Sequence, residues 1–412
     1  MKNKFLLEMQ SRGYLNQCTN LDALDGICDK KSISGYIGFD CTASSLHVGS
    51  LLQIMILKLM QKHGHQPIVL LGGGTTLIGD PSGKDSTRKI LKQKEIENNI
   101  QSIKKVFNKI LDTSSKDTKP IFVNNFEWLT KLNYIQFLRD VGSHFTINKM
   151  LTFESVKLRL EREQSLSYME FNYMILQAYD FYQLFKTNNC ILQIGGSDQW
   201  GNIINGVELI RRMLQKESFG LTSPLITLAS GAKMGKTEKG AIWLNEDLYS
   251  PYEYWQFWRN SDDRDVKRFL SFFTEIETSE IDNICNKEKN INKLKIILAN
   301  EATKILHGET ASKKAEQTAK ETFEKGKLSL GLPEIKIKSN ELDKGVSFLD
   351  FLSINKIMSS KSEARRAIAS KGLKINDIII DNDKKILKSS DFKEGNLKIS
   401  YGKKKHYLIK II

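Results

Sequence analysis

Over the first 225 residues, short β-prone runs alternate with longer helical patterns, and this alternation constrains the fold more than any other feature. "YIGF" (36–39), "PIVLLG" (67–72), "PIFVNN" (120–125) and "CILQIGG" (190–196) read as strands bounded by glycine, proline or asparagine. Between them, "LLQIMILKLMQKH" and "IENNIQSIKKVFNKIL" carry apolar residues at helical spacing. Strands separated by helices cannot close as hairpins, and crossover connections yield a parallel sheet with helices on both faces. The expected fold class is α/β, a Rossmann-like parallel sheet spanning 1–245. From "SPYEYWQFWRN" onward, 246–326 is helical throughout. The stretch "LSLGLPEIKIKSNELDKG", within 327–345, looks like a linker. Residues 346–412 pair a helix-like "SKSEARRAIASKG" with short β runs, a small α+β domain.

Charge is unevenly spread. The 412 residues carry a formal +14, and +8 of it falls between Val346 and Ile412. A local basic excess of this kind suits an RNA- or DNA-binding module, although a lysine-rich genome composition would also raise it. The five cysteines, Cys18, Cys28, Cys41, Cys190 and Cys285, are odd in number and show no CxxC pairing. They fit a reducing compartment without disulfides or structural zinc. "MKNKFLLEMQSRGYL" lacks the apolar core of a signal peptide, and no apolar run is long enough to span a bilayer. A soluble intracellular protein is expected, with no membrane partner.

Four stretches concentrate chemistry. "YIGFDCTASSLHVGSLLQIM" (36–55) runs from a strand through small residues and His47 into a helix, a join where free N–H groups favour phosphate. "PIVLLGGGTTLIGDPSGK" (67–84) fails as a P-loop, because Gly79 and Gly83 are too close and Asp85 follows Lys84. It offers Asp80 as an anion beside a bound ammonium, with Lys84 and Arg88 for phosphate oxygens. In "YMEFNYMILQAYDFYQLF" (168–185), Tyr173, Gln177 and Asp180 share one face of an apolar helix. A carboxylate there is costly unless hydrogen-bonded. "ILQIGGSDQWGNI" (191–203) ends a strand in glycines before Asp198 and Gln199. Beyond these four, "SGAKMGKTEKG" (230–240) sets Lys233 and Lys236 in a glycine-flanked loop. Taken singly, each stretch also suits a plain role: a tight turn, a buried hydrogen-bond network, a solvated lysine pair.

Their order along the chain is more specific. H-V-G-S after a strand and K-M-G-K-T about 190 residues later resemble the paired signatures of class I aminoacyl-tRNA synthetases. "GFDCTASSLHVG", "IGDPSGK", "YMILQAYDF", "IGGSDQWGN" and "KMGKT" together resemble bacterial and organellar tyrosyl-tRNA synthetases. The resemblance implies that L-tyrosine is activated by ATP to tyrosyl-adenylate plus pyrophosphate. The tyrosyl group then passes to the 3′-terminal adenosine of tRNA(Tyr).

By the same resemblance, 1–245 is the catalytic domain, with its nucleotide signature at 41–50 and its lysine loop at 233–237. Tyr36 and Asp180 would bind the substrate phenol, and Asp80, Tyr173 and Gln177 its ammonium group. Gly38, Asp40, Gly49, Asp198 and Gln199 would line the adenylate. Thr42 and His47 would meet the leaving phosphates, joined by Lys84, Arg88, Lys233, Lys236 and Thr237. Mg²⁺ would arrive with ATP, held by phosphates and water rather than a protein cage. Residues 246–326 would bind the anticodon. The last domain resembles a small RNA-binding module, in which Ser362, Arg365, Arg366 and Lys371 would meet phosphates. A homodimer in the cytosol or an organellar matrix is implied.

The chain departs from the family pattern in places. Ser50 stands where many relatives have a second histidine, and Gly235 and Thr237 replace serines. Cys41 sits where proline is frequent, Ile37 where cysteine is frequent, and "GGGTT" beside Asp80 is unusual. Two other readings stay open at this point: a tryptophanyl-tRNA synthetase on the same fold, and an RNA-binding protein with a vestigial catalytic domain.

Overall fold

The computed structural model describes all residues except 81–90, 232–233, 238–239, 325–331, 344, 394 and 403–404; of 154, 155, 236, 237 and 322–324 it describes the backbone alone. Two compact units emerge. The first holds Met1–Lys236, Ala241–Leu248 and Asp262–Lys289; the second holds Thr237–Gly240, Tyr249–Ser261 and Asn290–Ile412.

The first unit is built on six strands: β1 (Gln17–Cys18), β2 (Ser34–Asp40), β3 (Gln66–Gly72), β4 (Ile121–Asn124), β5 (Cys190–Gly196) and β6 (Phe219–Ser223). Their order across the sheet is β1-β6-β5-β2-β3-β4. All neighbours run parallel except the short edge strand β1, which is antiparallel to β6. β3 is buried along nearly its whole length, as a strand covered on both faces must be. Helix Leu51–Lys62 is buried on nearly every side, whereas the next long helix is amphipathic. Helix Gln93–Ile110 buries Ile96, Ile100, Ile103, Val106, Phe107 and Ile110, a single stripe at helical spacing.

Helix Tyr168–Asn188 begins at a capping box. Ser167 Oγ accepts from the Glu170 N–H at 3.1 Å, and a Glu170 carboxylate oxygen accepts from the Ser167 N–H at 3.1 Å. It ends at Asn189 in the left-handed conformation (φ 50°). Its Phe181 is fully buried and its ring packs 5.4 Å from that of Tyr36 on β2. The expected strands and helices of this half are thus present, and β1 and β6 join them.

After the two-residue strands β7 (Lys236–Thr237) and β8 (Gly240–Ala241), the helical stretch is divided between the units. Helices Val266–Phe273 and Thr278–Lys287 belong to the first. Helices Pro251–Arg259, Ile291–His307 and Glu309–Glu324 belong to the second. The second unit ends in a five-stranded sheet drawn from β9 (Glu334–Ile337), β11 (Leu373–Ile375), β12 (Ile378–Ile379), β14 (Asn396–Tyr401) and β15 (Lys405–Ile411), ordered β12-β11-β14-β15-β9. A separate pair, β10 (Val346–Ser347) with β13 (Ile386–Leu387), lies beside helices Phe348–Ile354 and Lys361–Ala369. Phe348, Leu352, Ile368, Leu373, Leu397 and Ile399 form the core of this part. The stretch read as a linker therefore contains structure of its own. β9 pairs in parallel with β15, and helix Ser339–Asp343 follows it.

Among the described residues, no helix is long and apolar enough to cross a membrane.

Candidate active site

β2 is where the sheet reverses. From it the chain builds β3 and β4 on one side, then returns to place β5 and β6 on the other. The loops leaving the carboxyl ends of β2 and β5 head in opposite directions, which leaves a crevice between them. A cavity of about 310 Å³ opens there, lined from β2, β3 and β5, helix Tyr168–Asn188 and the residues that follow β2.

At one end sit Tyr36 and Asp180, both almost fully buried. Among the described residues, the Tyr36 hydroxyl has no hydrogen-bond partner. Burial, and then the charge of Asp180, hold this phenol well above its ordinary range. Asp180 is held from behind. Asn125 Nδ2 donates to one carboxylate oxygen at 2.9 Å, and Trp128 Nε1 donates to the other at 2.7 Å. Burial nevertheless lifts its carboxyl from 3.8 to about 7, the two donors opposing and the charge of Asp40 assisting.

The middle of the cavity is crowded with acceptors. The Tyr173 hydroxyl donates to Asp40 Oδ2 at 3.3 Å, and Thr75 Oγ1 donates to Asp40 Oδ1 at 2.9 Å. Gln199 Nε2 donates to Asp80 Oδ2 at 3.0 Å and is itself steadied by Asn202. The side-chain oxygens of Gln53, Gln177 and Gln193 are buried without a partner among the described residues, and Asp198 adds a fourth carboxylate. Polar atoms buried in this way call for donors from elsewhere. A ligand bearing an ammonium group and several hydroxyls would supply them. Gly38 lines the cavity, and a Cβ built on it would meet nothing closer than Leu70 Cδ2 at 3.5 Å.

At the other end, His47 caps the short turn Val48–Ser50, and its Nδ1 accepts from the Gly49 N–H at 3.0 Å. The segment following the lysine loop docks on this turn: the Val48 N–H donates to Ile242 O at 2.8 Å, and the Leu244 N–H to Leu46 O at 2.9 Å. The two signatures, far apart in sequence, are thereby stitched together. A Cβ on Gly49 would fall 2.8 Å from Met234 O, and one on Gly235 would fall 2.6 Å from His47 Nδ1. Gly235 also has φ +94°, so glycine in place of the usual serine has a steric reason here.

Residues 29–324 match the family described as tRNA synthetases class I (W and Y). A tyrosine–tRNA ligase of Pelagibacter ubique is 61% identical over 410 residues, covering all of both chains. One of Xanthobacter autotrophicus is 52% identical, covering 99% of this chain and 98% of its own. The chain belongs to the class I tyrosyl-tRNA synthetases. Among solved structures, the C-terminally truncated mitochondrial tyrosyl-tRNA synthetase of Aspergillus nidulans superposes with a TM-score of 0.70 at 29% identity, covering 78% of this chain and 95% of its own. That of Archaeoglobus fulgidus, complexed with L-tyrosine, gives 0.57 at 16% identity over 76% and 99%, a likeness of fold alone.

In this synthetase, ten of the expected residues line one cavity: Tyr36, Gly38, Asp40, Gly49 and Asp80 from the first half, with Tyr173, Gln177, Asp180, Asp198 and Gln199. His47 stands at its edge beside Gly49, and Thr42 is exposed just past β2. Lys84, Arg88 and Lys233 lie outside the described residues; Lys236 and Thr237 are placed by backbone alone, in β7. Ser362, Arg365, Arg366 and Lys371 are all exposed or partly so, on or just after helix Lys361–Ala369. Sequence patterns alone do not point to Gln53, Thr75, Asn125, Trp128 or Gln193. The slight signals that could have found two of them are polar residues set within apolar runs, Gln193 in β5 and Gln53 in "LLQIMILKLM".

Proposed function

We infer that the cavity binds L-tyrosine and ATP together and joins them as tyrosyl-adenylate, before the tyrosyl group passes to tRNA(Tyr). One observation carries the tyrosine assignment. Among the described residues the cavity presents the unpartnered Tyr36 hydroxyl together with the Asp180 carboxylate, a donor and an acceptor that suit a phenol, which both donates and accepts. An indole offers only a donor, which favours tyrosine over tryptophan. The ammonium group then falls among Asp80, Tyr173 and Gln177, and Gln193 adds a further acceptor. Gly38, Asp40, Gly49, Asp198 and Gln199 run along the adenylate.

No protein nucleophile is required. The tyrosine carboxylate attacks the α-phosphorus, the bond to the bridging oxygen breaks, and pyrophosphate departs. The protein's part is to align the two reactants and to stabilise charge on the leaving group. Thr42 and His47 do so with Lys84, Arg88, Lys233, Lys236 and Thr237. ATP enters as its Mg²⁺ complex.

The basic C-terminal part holds tRNA through phosphates at Ser362, Arg365, Arg366 and Lys371, and 246–326 contributes anticodon contacts. Pairing of two chains is supported by exposed apolar side chains on the first unit, Tyr134, Ile135, Leu138, Ile147, Leu151 and Tyr168, of which Tyr134 and Tyr168 lie together. All five cysteines are free, which fits a cytosolic location.

The test is ATP–pyrophosphate exchange with each amino acid in turn. Tyrosine alone should support it, and Tyr36→Phe and Asp180→Asn should each impair tyrosine use or admit phenylalanine. A site built to hydrogen-bond a hydroxyl rejects the analogue lacking it. Tyrosyl-tRNA synthetase excluding phenylalanine by about 10⁵ is itself the standing example of that rule, not a magnitude drawn from this cavity. Exchange driven equally by tryptophan would sink the assignment.

A further inference from the structure

Cys41, the first residue past β2, is fully buried, and both of its backbone groups are held by side chains from other elements. Its N–H donates to Thr76 Oγ1 at 2.8 Å, and its carbonyl accepts from Asn99 Nδ2 at 2.9 Å. Thr76 belongs to the short helix Thr75–Ile78 after β3, and Asn99 to helix Gln93–Ile110. Neither residue lines the cavity. The adjacent Thr75 grips Asp40 in parallel, so consecutive threonines secure consecutive residues at the exit of β2, one by a side chain and one by the backbone. A second buried anchor follows at Ser45, whose Oγ lies 2.7 Å from Asn245 Oδ1. Thr42 to Ser44 are hung between these two anchors. Two departures from the family pattern meet in the first of them: a proline at 41 would have no N–H to give to Thr76.

We propose that Thr76 is a positioning residue for adenylate formation, fixing the Cys41 peptide so that the span 42–44 presents Thr42 to the leaving phosphates, with Asn99 holding the other side. The proposal rests on the adenylation reading above. Without the hydroxyl, the Cys41 N–H is left buried and unpaired, and the span relieves this by moving. The burden falls on ATP, because the Thr76 hydroxyl holds the Cys41 peptide, whereas Asp180 is held by Trp128 and by Asn125. Asn125 also binds Thr75 and so stays in place when only the Thr76 hydroxyl is removed.

The experiment compares full-length Thr76→Val, which keeps the shape and loses the hydroxyl, with Thr76→Ser, which keeps the hydroxyl. ATP–pyrophosphate exchange gives kcat and KM for ATP, and equilibrium dialysis gives the tyrosine Kd. Thr76→Val should lower kcat/KM for ATP by about tenfold or more, with the tyrosine Kd within about twofold of wild type and Thr76→Ser within about threefold. The proposal is overturned if the valine variant handles ATP normally, if it loses tyrosine affinity in the same proportion, or if serine fails as badly as valine. Should the valine variant not fold, Asn99→Leu tests the other half of the anchor, with a smaller loss of the same kind expected. Normal ATP kinetics in that variant would overturn the proposal. Absence of tyrosine-dependent exchange in the wild type would instead bring down the reading on which it rests.

Discussion

On the reading proposed above, Asp180 combines two demands that pull apart: it stays buried, and it would accept a proton-bearing phenol. Burial lifts its carboxyl to about 7, although Asn125 and Trp128 both favour the charged form. A raised carboxyl means that the folded chain binds this proton more tightly than the unfolded one. Its contribution to stability is therefore present below 3.8 and is lost as pH rises toward about 7. Ligand binding runs the other way. A tyrosine hydroxyl donates best to the ionised form, so tyrosine affinity should rise as pH climbs through about 7, with a proton released on binding below that point. Calorimetric titration of tyrosine about one unit below that point, in buffers of differing ionisation enthalpy, would measure that proton. Binding with no proton release would mean that Asp180 is already ionised or does not accept from the phenol.

At the scale of elements, the sequence and the structure agree where chemistry is local. A strand, a small-residue loop and a helix start are legible around His47, because each depends on neighbours within a few residues. The helix face of Tyr173, Gln177 and Asp180 is legible for the same reason: periodicity alone places it. What escapes is whatever depends on contacts across the sheet. Asn125 closes the run read as a strand and Trp128 lies just beyond it, and only the fold brings them against Asp180, 55 and 52 residues away. β6 is hidden because "FGLTS" mixes glycine and hydroxyls, and it is a strand because β5 lies beside it. The contact between the turn after His47 and the segment 242–244 is of the same kind, and it yields a prediction. An alanine at Gly235 must adopt φ +94° and place its Cβ against His47, at a strain of about 1–2 kcal/mol. Gly235→Ala should therefore slow adenylate formation by about tenfold or more while leaving the tyrosine Kd unchanged. Stopped-flow measurement of adenylate formation checks this, and a wild-type rate would mean that the loop does not dock on His47 during the reaction.

For the whole molecule, two predictions separate assembly from RNA binding. Ile135 is 71% exposed, and beside it the Tyr134 hydroxyl lies 3.1 Å from that of Tyr168, so that exposed apolar side chains from two helices share this surface. If this surface pairs two chains, Ile135→Arg buries a charge against its counterpart and should shift the protein from dimer to monomer in sedimentation velocity. An unchanged sedimentation coefficient would place the interface elsewhere. The basic C-terminal part calls for a subtler test than removal. Cutting before Val346 would strand β9 without β15, because the sheet begins inside the stretch that composition marks as a linker. Charge can be removed without that damage, since Arg365 and Arg366 are exposed on helix Lys361–Ala369, whose buried face is Ala364, Ala367 and Ile368. Replacing both arginines with alanine leaves this core intact. Phosphate contacts release counterions, so each one lost lowers the salt dependence of RNA binding by about one unit of log–log slope. Arg365→Ala with Arg366→Ala should therefore weaken tRNA binding, reduce its salt slope by about two and slow tRNA charging. Tyrosine-dependent pyrophosphate exchange should be untouched, because that reaction involves no RNA. An unchanged salt slope would show that these arginines face solvent in the complex, and that the excess charge from Val346 to Ile412 meets tRNA through other lysines or not at all.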